Sequence, residues 1–379
     1  MMHRRKIIFT VVVFMAGALT PIAFAQKSAQ KPAPKNEEKS AQKATFEQYV
    51  SAISKNINLR LKDTKTGLYF ETTAAVQKEN PHSWLWPLCA LVQAANEMDV
   101  LYPKQQHLKP VVKAIDQYYS EKAPVAYQDY VTAERLSSRF YDDNQWVAIA
   151  YLDAYNRTRE QHYLKNAIMV YDYMITGMDN KAGGGLYWKE GDFSTKNTCS
   201  NAPAVLVALQ LYKATKEKKY LETALAVYDW TNKTLRSPEG LFYDNVKIPG
   251  GEIDRKFYTY NAGAMLQANA LLYDITRDKK YLQEAQQIAK ASKAYFFKDN
   301  RLPGHYWFNA VLLRGCIELY QIDRNKDWID IFRNEAQRIW KEENDAEHLL
   351  GKNKEKSLID QAAMMEIYAR LIQIEKQGK

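Results

Sequence analysis

Apolar positions recur at three- and four-residue spacing along most of this chain, the period of helices that bury one stripe. Residues 148–173 read AIAYLDAYNRTREQHYLKNAIMVYDY, residues 205–230 read VLVALQLYKATKEKKYLETALAVYDW, and residues 265–290 read MLQANALLYDITRDKKYLQEAQQIAK. Each has the same punctuation. An apolar helix ends in Tyr, a Thr followed by Lys or Arg turns the chain, and Tyr-Leu opens a second amphipathic helix. The second helices begin at Tyr163, Tyr220 and Tyr281, and Trp328 holds the equivalent place in a looser copy at 312–340. Spacings of 57, 61 and 47 residues identify helical hairpins joined by connections of variable length.

Residues 85–95 followed by 108–119 read as another hairpin, with one helix before it at 46–59 and one after the last copy at 358–374. The expectation is an all-α chain of about twelve helices arranged as an (α/α)6 toroid, inner helices around a funnel and outer ones behind them. An open superhelical solenoid is the alternative, but its terminal repeats should be polar caps, and the ends here are as apolar as the middle. The toroid is expected over residues 46–379. Ahead of it, residues 1–25 read as a signal peptide, with a basic start at His3 to Lys6, a short apolar run, and Ala23-Phe24-Ala25 as cleavage site. Residues 26–45, rich in Lys, Gln, Ala, Pro and Glu, read as a flexible tether. An exported protein, periplasmic or secreted, is implied.

The linkers ahead of the inner helices share an aromatic signature: Gly67-Leu68-Tyr69-Phe70, Gly183-Gly184-Gly185-Leu186-Tyr187-Trp188, Gly240-Leu241-Phe242-Tyr243 and Pro303-Gly304-His305-Tyr306-Trp307-Phe308. They are expected to ring one mouth of the toroid and to offer faces on which a sugar can stack, although most Tyr and Trp at helical spacing belong to the core. The chemistry-bearing element is Tyr141-Asp142-Asp143-Asn144-Gln145-Trp146, two adjacent carboxylates opening an apolar helix between aromatics. Cleavage of a glycosidic bond needs one protonated and one ionised carboxyl group, and one such motif can hold both. The bland reading is that Asp is common in first helical turns, where it meets unpaired N–H groups and the positive end of the helix dipole.

Composition narrows the alternatives. The formal charge of +9 falls to about +3 over the expected domain, too diffuse for nucleic acid. Cys89, Cys199 and Cys316 read as buried thiols, with one disulfide and a leftover as the alternative. The six His show no metal-ligand spacing, and the glycines at 183–185 are not followed by a phosphate-cradling helix, so no metal, nucleotide or other cofactor is expected. Asn197, Asn201 and Asn261 are candidates for sugar hydroxyls or, equally, for helix caps. Trp188 and Trp307 are stacking candidates, and His82, Trp84 and Trp86 are candidates for another part of the cleft. Asp129, Glu134, Asp244 and Asp254 read as solvated or structural loop acids.

Three motifs carry a family resemblance: Phe140-Tyr141-Asp142-Asp143-Asn144-Gln145-Trp146-Val147-Ala148; Gly184-Gly185-Leu186-Tyr187-Trp188 with Lys196-Asn197 and Asn201-Ala202-Pro203; and Tyr258-Thr259-Tyr260-Asn261-Ala262-Gly263. In order and spacing the chain resembles glycoside hydrolase family 76, endo-acting α-1,6-mannanases. The resemblance implies a retaining mechanism on α-mannan or mannooligosaccharides, with Asp142 as nucleophile and Asp143 as acid/base. The expected substrate-binding set is Tyr141, Trp146, Trp188, Asn197, Asn201, Tyr260, Asn261, His82, Trp86 and Trp307. Ala262 stands where the family usually carries Gln. A monomer without an integral membrane segment in its mature part is expected.

Other readings of the same scaffold remain at this level. A sugar epimerase would place His bases around the funnel, and few His stand at helix starts here. An unsaturated-glycan hydrolase or a mannan transglycosidase would keep the toroid. A non-catalytic glycan-binding protein would keep the aromatic loops without needing two adjacent carboxylates.

Overall fold

The computed structural model describes residues 45–74, 82–299 and 301–377, all within one compact unit, Ala44–Lys379. The expected signal peptide and nearly all of the tether lie outside the described residues. Twelve α-helices follow in order: α1 (Phe46–Asn56), α2 (Leu85–Leu101), α3 (Leu108–Ile115), α4 (Tyr141–Thr158), α5 (Gln161–Met174), α6 (Thr198–Thr215), α7 (Lys218–Leu235), α8 (Thr259–Thr276), α9 (Lys279–Phe296), α10 (Tyr306–Asp323), α11 (Asp327–Glu342) and α12 (Leu358–Gln377).

The even-numbered helices form a closed inner ring, each packing on the next from α2 round to α12, and α12 packing back on α2. The odd-numbered helices lie outside. Five hairpins are sequential, and the sixth joins α12 to α1 across the whole sequence. The toroid is therefore the arrangement adopted, and the open solenoid is not.

The two sets of helices bury their residues differently. Outer α11 buries a stripe that includes Trp328, Ile329, Phe332, Ala336 and Ile339, as its periodicity predicts. Inner α6 is buried without a break from Thr198 to Leu211, because it meets neighbours on both sides as well as an outer helix behind. The single-stripe reading thus holds for the outer helices and fails for the inner ones. Where α8 and α10 meet, any side chain is too large: a Cβ on Gly263 would stand 2.5 Å from the Leu312 Cα.

The repeat punctuation has a physical cause. Each inner helix of these copies ends on a residue in the left-handed region, Arg159, Lys216, Arg277 and Arg324, with φ between 58° and 64°. Its N–H closes onto the carbonyl of the Tyr four residues back, Tyr155, Tyr212, Tyr273 and Tyr320. In α4, α6 and α8 the residue before it is a Thr that bonds back to its own helix and accepts an N–H of the next connection, as with Thr215 Oγ1, 2.9 Å from Leu211 O and 3.2 Å from Glu217 N; in α10 Asp323 accepts the Asn325 N–H at 3.0 Å instead.

At the other end of the inner helices, side-chain amides clasp the incoming loops. Asn201 accepts from Leu186 N at 2.7 Å and donates to Leu186 O at 2.9 Å. Asn144 does the same with Tyr127, and Gln361 with Leu350, in each case from the fourth residue of the helix. In α8 that place is taken by the buried Ala262.

Two small sheets occupy the connections, which the all-α expectation did not include. β1 (Tyr119–Ser120) pairs with β2 (Ala126–Tyr127). β3 (Thr195–Asn197), β4 (Tyr243–Lys247) and β5 (Ile253–Phe257) form an antiparallel sheet that sets Asn245 opposite Asn197. It joins the starts of α6 and α8 at the mouth of the ring.

Candidate active site

A cavity of about 680 Å³ opens at the N-terminal ends of the inner helices. Its wall follows a register. The second residue of α2, α4, α6, α8 and α10 lines it in every case: Trp86, Asp142, Cys199, Tyr260 and Trp307. Each of these inner helices thus delivers its second side chain to the funnel, and α4 and α10 add their third residues, Asp143 and Phe308. Trp146, one turn further along α4, meets Trp307 edge-on with ring centroids 5.3 Å apart, closing an aromatic floor.

The adjacent carboxyl groups have unlike surroundings. Asp142 Oδ2 accepts from the Trp188 indole N–H at 2.9 Å, and its Oδ1 accepts from the Asp143 amide at 3.0 Å. Burial pushes the Asp142 pKa up to about 6, and donors including the Cys199 thiol and Trp188 oppose the rise. Asp143 has no such relief. Burial, then the negative charges of Asp142 and Asp129, hold it well above the usual carboxylate range. The helix start that lowers a surface Asp does not win here, because desolvation outweighs it. Near neutral pH the arrangement offers one ionised carboxylate beside one protonated carboxyl, the two states that general acid and nucleophilic chemistry require together.

Of the residues expected at the site, Asp142, Asp143, Trp146, Trp188, Asn197, Tyr260, Trp86 and Trp307 line the cavity. Four do not. Tyr141 is buried against Tyr173, rings stacked at 4.9 Å, and sits over Gly177, where a Cβ would stand 2.7 Å from its ring. Asn201 spends its amide on the Leu186 clasp and on Asn197 O at 2.8 Å. His82 bonds Glu134 and Asp63 and stacks on Phe70 at 5.9 Å, which makes it part of the loop packing. Asn261 is fully buried below the cavity wall, where its amide opposes the rise in the Asp244 pKa.

The expected ring of exposed loop aromatics is also corrected. Tyr69, Tyr187, Phe242 and Tyr306 are core residues, while Trp188 is 40% exposed and open to the cavity. His305 caps α10 by accepting the Phe308 N–H, and burial draws its pKa down to about 4. The three cysteines are unpaired and buried, as expected.

Sequence reasoning set aside two carboxyl groups that the structure brings to the cavity, Asp129 and Asp244. Burial raises both pKa values. It also passed over Asn245 and Tyr258, whereas Phe308, one of the expected loop aromatics, does line the cavity. The available signal for Asn245 was the β-hairpin at 243–257, which places it across from Asn197. Among the described residues no group of three or more His, Cys, Asp or Glu is placed to hold a metal ion, and no helix is long and apolar enough to cross a membrane.

Residues 52–305 match the family described as Glycosyl hydrolase family 76. Mannan endo-1,6-alpha-mannosidase DCW1 of Candida glabrata is 27% identical over 184 residues, 44% of this chain and 41% of that protein. The match thus spans about two fifths of the length of this curated relative. Among solved structures, the family 76 mannosidase Bt3792 of Bacteroides thetaiotaomicron is 27% identical, with a TM-score of 0.80 over 88% of this chain and 100% of that one. An inactive variant of the α-1,6-mannanase GH76A of Salegentibacter, with two consecutive aspartates changed to asparagine and α-1,6-mannotriose bound, shares the fold at 21% identity, with a TM-score of 0.76 over 86% of this chain and 99% of that one.

Proposed function

The chain belongs to glycosyl hydrolase family 76, and from that premise we propose that it is an exported, retaining endo-α-1,6-mannanase, acting as a monomer on the α-1,6-linked backbone of mannan or on mannooligosaccharides. The observation that carries the reading is the unequal pair at the cavity wall: Asp142 bonded by the Trp188 N–H at 2.9 Å, and beside it Asp143, whose pKa burial and then the charges of Asp142 and Asp129 push up. The substrate class rests on the named relatives, and export rests on the leader at residues 1–25.

In this reading Asp142 is the nucleophile. Its carboxylate attacks the anomeric carbon from the face opposite the leaving sugar, while Asp143 gives its proton to the glycosidic oxygen. The product of this step is a β-mannosyl ester on Asp142. Asp143, now ionised, takes a proton from a water that opens the ester, and the freed sugar regains the α configuration. The indole N–H that lowers the Asp142 pKa keeps it anionic for attack and stabilises it again as a leaving group. Trp146 and Trp307 provide the apolar floor against which the pyranose lies.

Proton NMR of the first-formed product from α-1,6-mannotetraose tests this reading. The α anomer is expected, and the β anomer, or no cleavage at all, would overturn it.

A further inference from the structure

Three buried acceptors around the cavity lack a hydrogen-bond partner: Asp129 Oδ1, Asn197 Oδ1 and Asn245 Oδ1. Buried polar atoms are rarely left so, and in a sugar site a hydroxyl group supplies the missing donor. Their placement is not symmetric about the acid pair.

Asp129 lies at the start of α2, where its carbonyl accepts the Leu85 N–H at 2.9 Å. Asp142 and Asp143 open α4. Asn197 stands at the N-cap position of α6 without a side-chain capping bond, and Asn245 is paired with it across the sheet. Because α2, α4 and α6 are successive neighbours in the ring, the acid pair sits between Asp129 on one side and the two asparagines on the other. The members of the pair face opposite ways: Asp143 feels the charge of Asp129, while Asp142 is bonded from the α6 side by Cys199 and from the β3 linker by Trp188.

With Asp142 as nucleophile and Asp143 as acid, this asymmetry acquires a direction, which rests on the mannanase reading. The sugar that becomes the ester must stand over Asp142, and the sugar that leaves must stand beyond Asp143. We propose that the glycan crosses the cavity with its retained, non-reducing part over Asn197 and Asn245 and its leaving, reducing part against Asp129 and Trp84, so that Asp129 is a specificity residue for the leaving sugar. The chemistry of the two walls suits the assignment. The retained ring is distorted on the way to the transition state and is gripped by closely spaced polar groups beside Asp244 and Tyr260. The leaving sugar must depart, and it meets one carboxylate and an indole.

A donor without a leaving sugar separates the two sides. With α-1,6-mannobiosyl fluoride, Asp142 displaces fluoride, which leaves with the electron pair of the C–F bond and needs no proton from Asp143. The ester is then opened by water or by the hydroxyl group of added methyl α-mannoside, the proton going to Asp143 in both cases. The ratio of transfer to hydrolysis therefore reports acceptor binding on the leaving side, free of any change in Asp143. Asp129→Ala is expected to lower that ratio about tenfold or more, the worth of one charge-assisted hydrogen bond, with Asp129→Asn in the same direction. Asn245→Ala, or Asn197→Ser, is expected to raise the KM for the fluoride instead.

The reverse pattern, with Asp129 variants raising donor KM and asparagine variants lowering the ratio, would overturn the direction. So would the absence of any transfer product from the wild-type protein. Failure of the wild type to cleave the fluoride and α-1,6-mannotetraose alike would count against the proposed function itself.

Discussion

Replacing Trp188 by Phe keeps an aromatic face at the mouth of the cavity and removes one atom pair of consequence, the N–H donated to Asp142 Oδ2 at 2.9 Å. A hydrogen bond to a charged group is worth about 1.5–3 kcal/mol, and one pKa unit corresponds to about 1.4 kcal/mol. Trp188 is 40% exposed, so solvent screening argues for the lower end. The loss should raise the Asp142 pKa by about one unit from its starting value of about 6. Attack requires the carboxylate, so activity appears as pH rises through this pKa, and the acidic limb of kcat/KM on α-1,6-mannotetraose should move to higher pH by that amount. At pH 5 the variant should therefore fall about tenfold further below its own plateau than the wild type does. Trp188→Ala should shift the limb equally and raise KM as well, since the stacking face goes too. An unmoved acidic limb in Trp188→Phe, with or without a change in KM, would refute the claim that the indole tunes Asp142.

Other parts of the structure make separate demands. Asp143→Asn should lose several orders of magnitude on mannotetraose, yet still be glycosylated by an activated aryl mannoside, with azide accelerating release as a mannosyl azide; equal loss on both substrates would reject it as the acid. Asn201→Ala should lower stability by about 2–4 kcal/mol in urea unfolding, because the Leu186 N–H and C=O both lose their partner, while KM below the melting range stays put. Lys196→Met should cost about 3–5 kcal/mol and open the 179–194 loop to protease, since the buried ammonium binds Asp179 Oδ1 at 2.6 Å and the carbonyls of Lys181 and Gly184 at 2.8 and 2.6 Å.

The toroid was legible because its repeat is written in the residues that terminate helices: a Tyr, a Thr and a cation in the left-handed cap recur at the ends of α4, α6 and α8, and α10 keeps the Tyr and the cation with Asp323 in the place of the Thr. Asp142 and Asp143 were legible because two carboxyl groups at a helix start, flanked by aromatics, stand out in one dimension. Asp129 and Asp244 were not, since what makes them wall residues is the curvature of the ring and a β-hairpin that folds back on β3. Asn197 and Asn201 show the limit most plainly. They stand four residues apart in one motif, but Asn197 ends β3 in extended backbone ahead of the helix and lines the cavity, whereas Asn201 lies inside α6 and clasps a loop, and only the position of the helix start tells them apart. His82 fails for the same reason, because the acids that claim it come from 19 and 52 residues away.

The seam of the ring has a consequence for assembly. α12 packs against both α1 and α2, Leu358 N–H reaches Glu71 O at 2.9 Å, and Gln373 reaches Glu97 from 276 positions away. The remaining helix-on-helix packing of the inner ring joins elements that follow one another in sequence, so the arc from α2 to α10 can form as the chain is made. The last contact cannot. Until α12 exists, the ring is open between α10 and α2, and the walls that meet across the funnel are tied only by cross-ring contacts such as Arg314 to Asp153 at 2.6 Å and Trp307 on Trp146. Loop closure over so long a separation is slow compared with the local hairpins. Catalytic competence should therefore arrive abruptly, at the end of synthesis, rather than accumulate with each added pair of helices. A chain shortened before Leu358 would carry every residue that lines the cavity but lack the helix that closes the ring behind them.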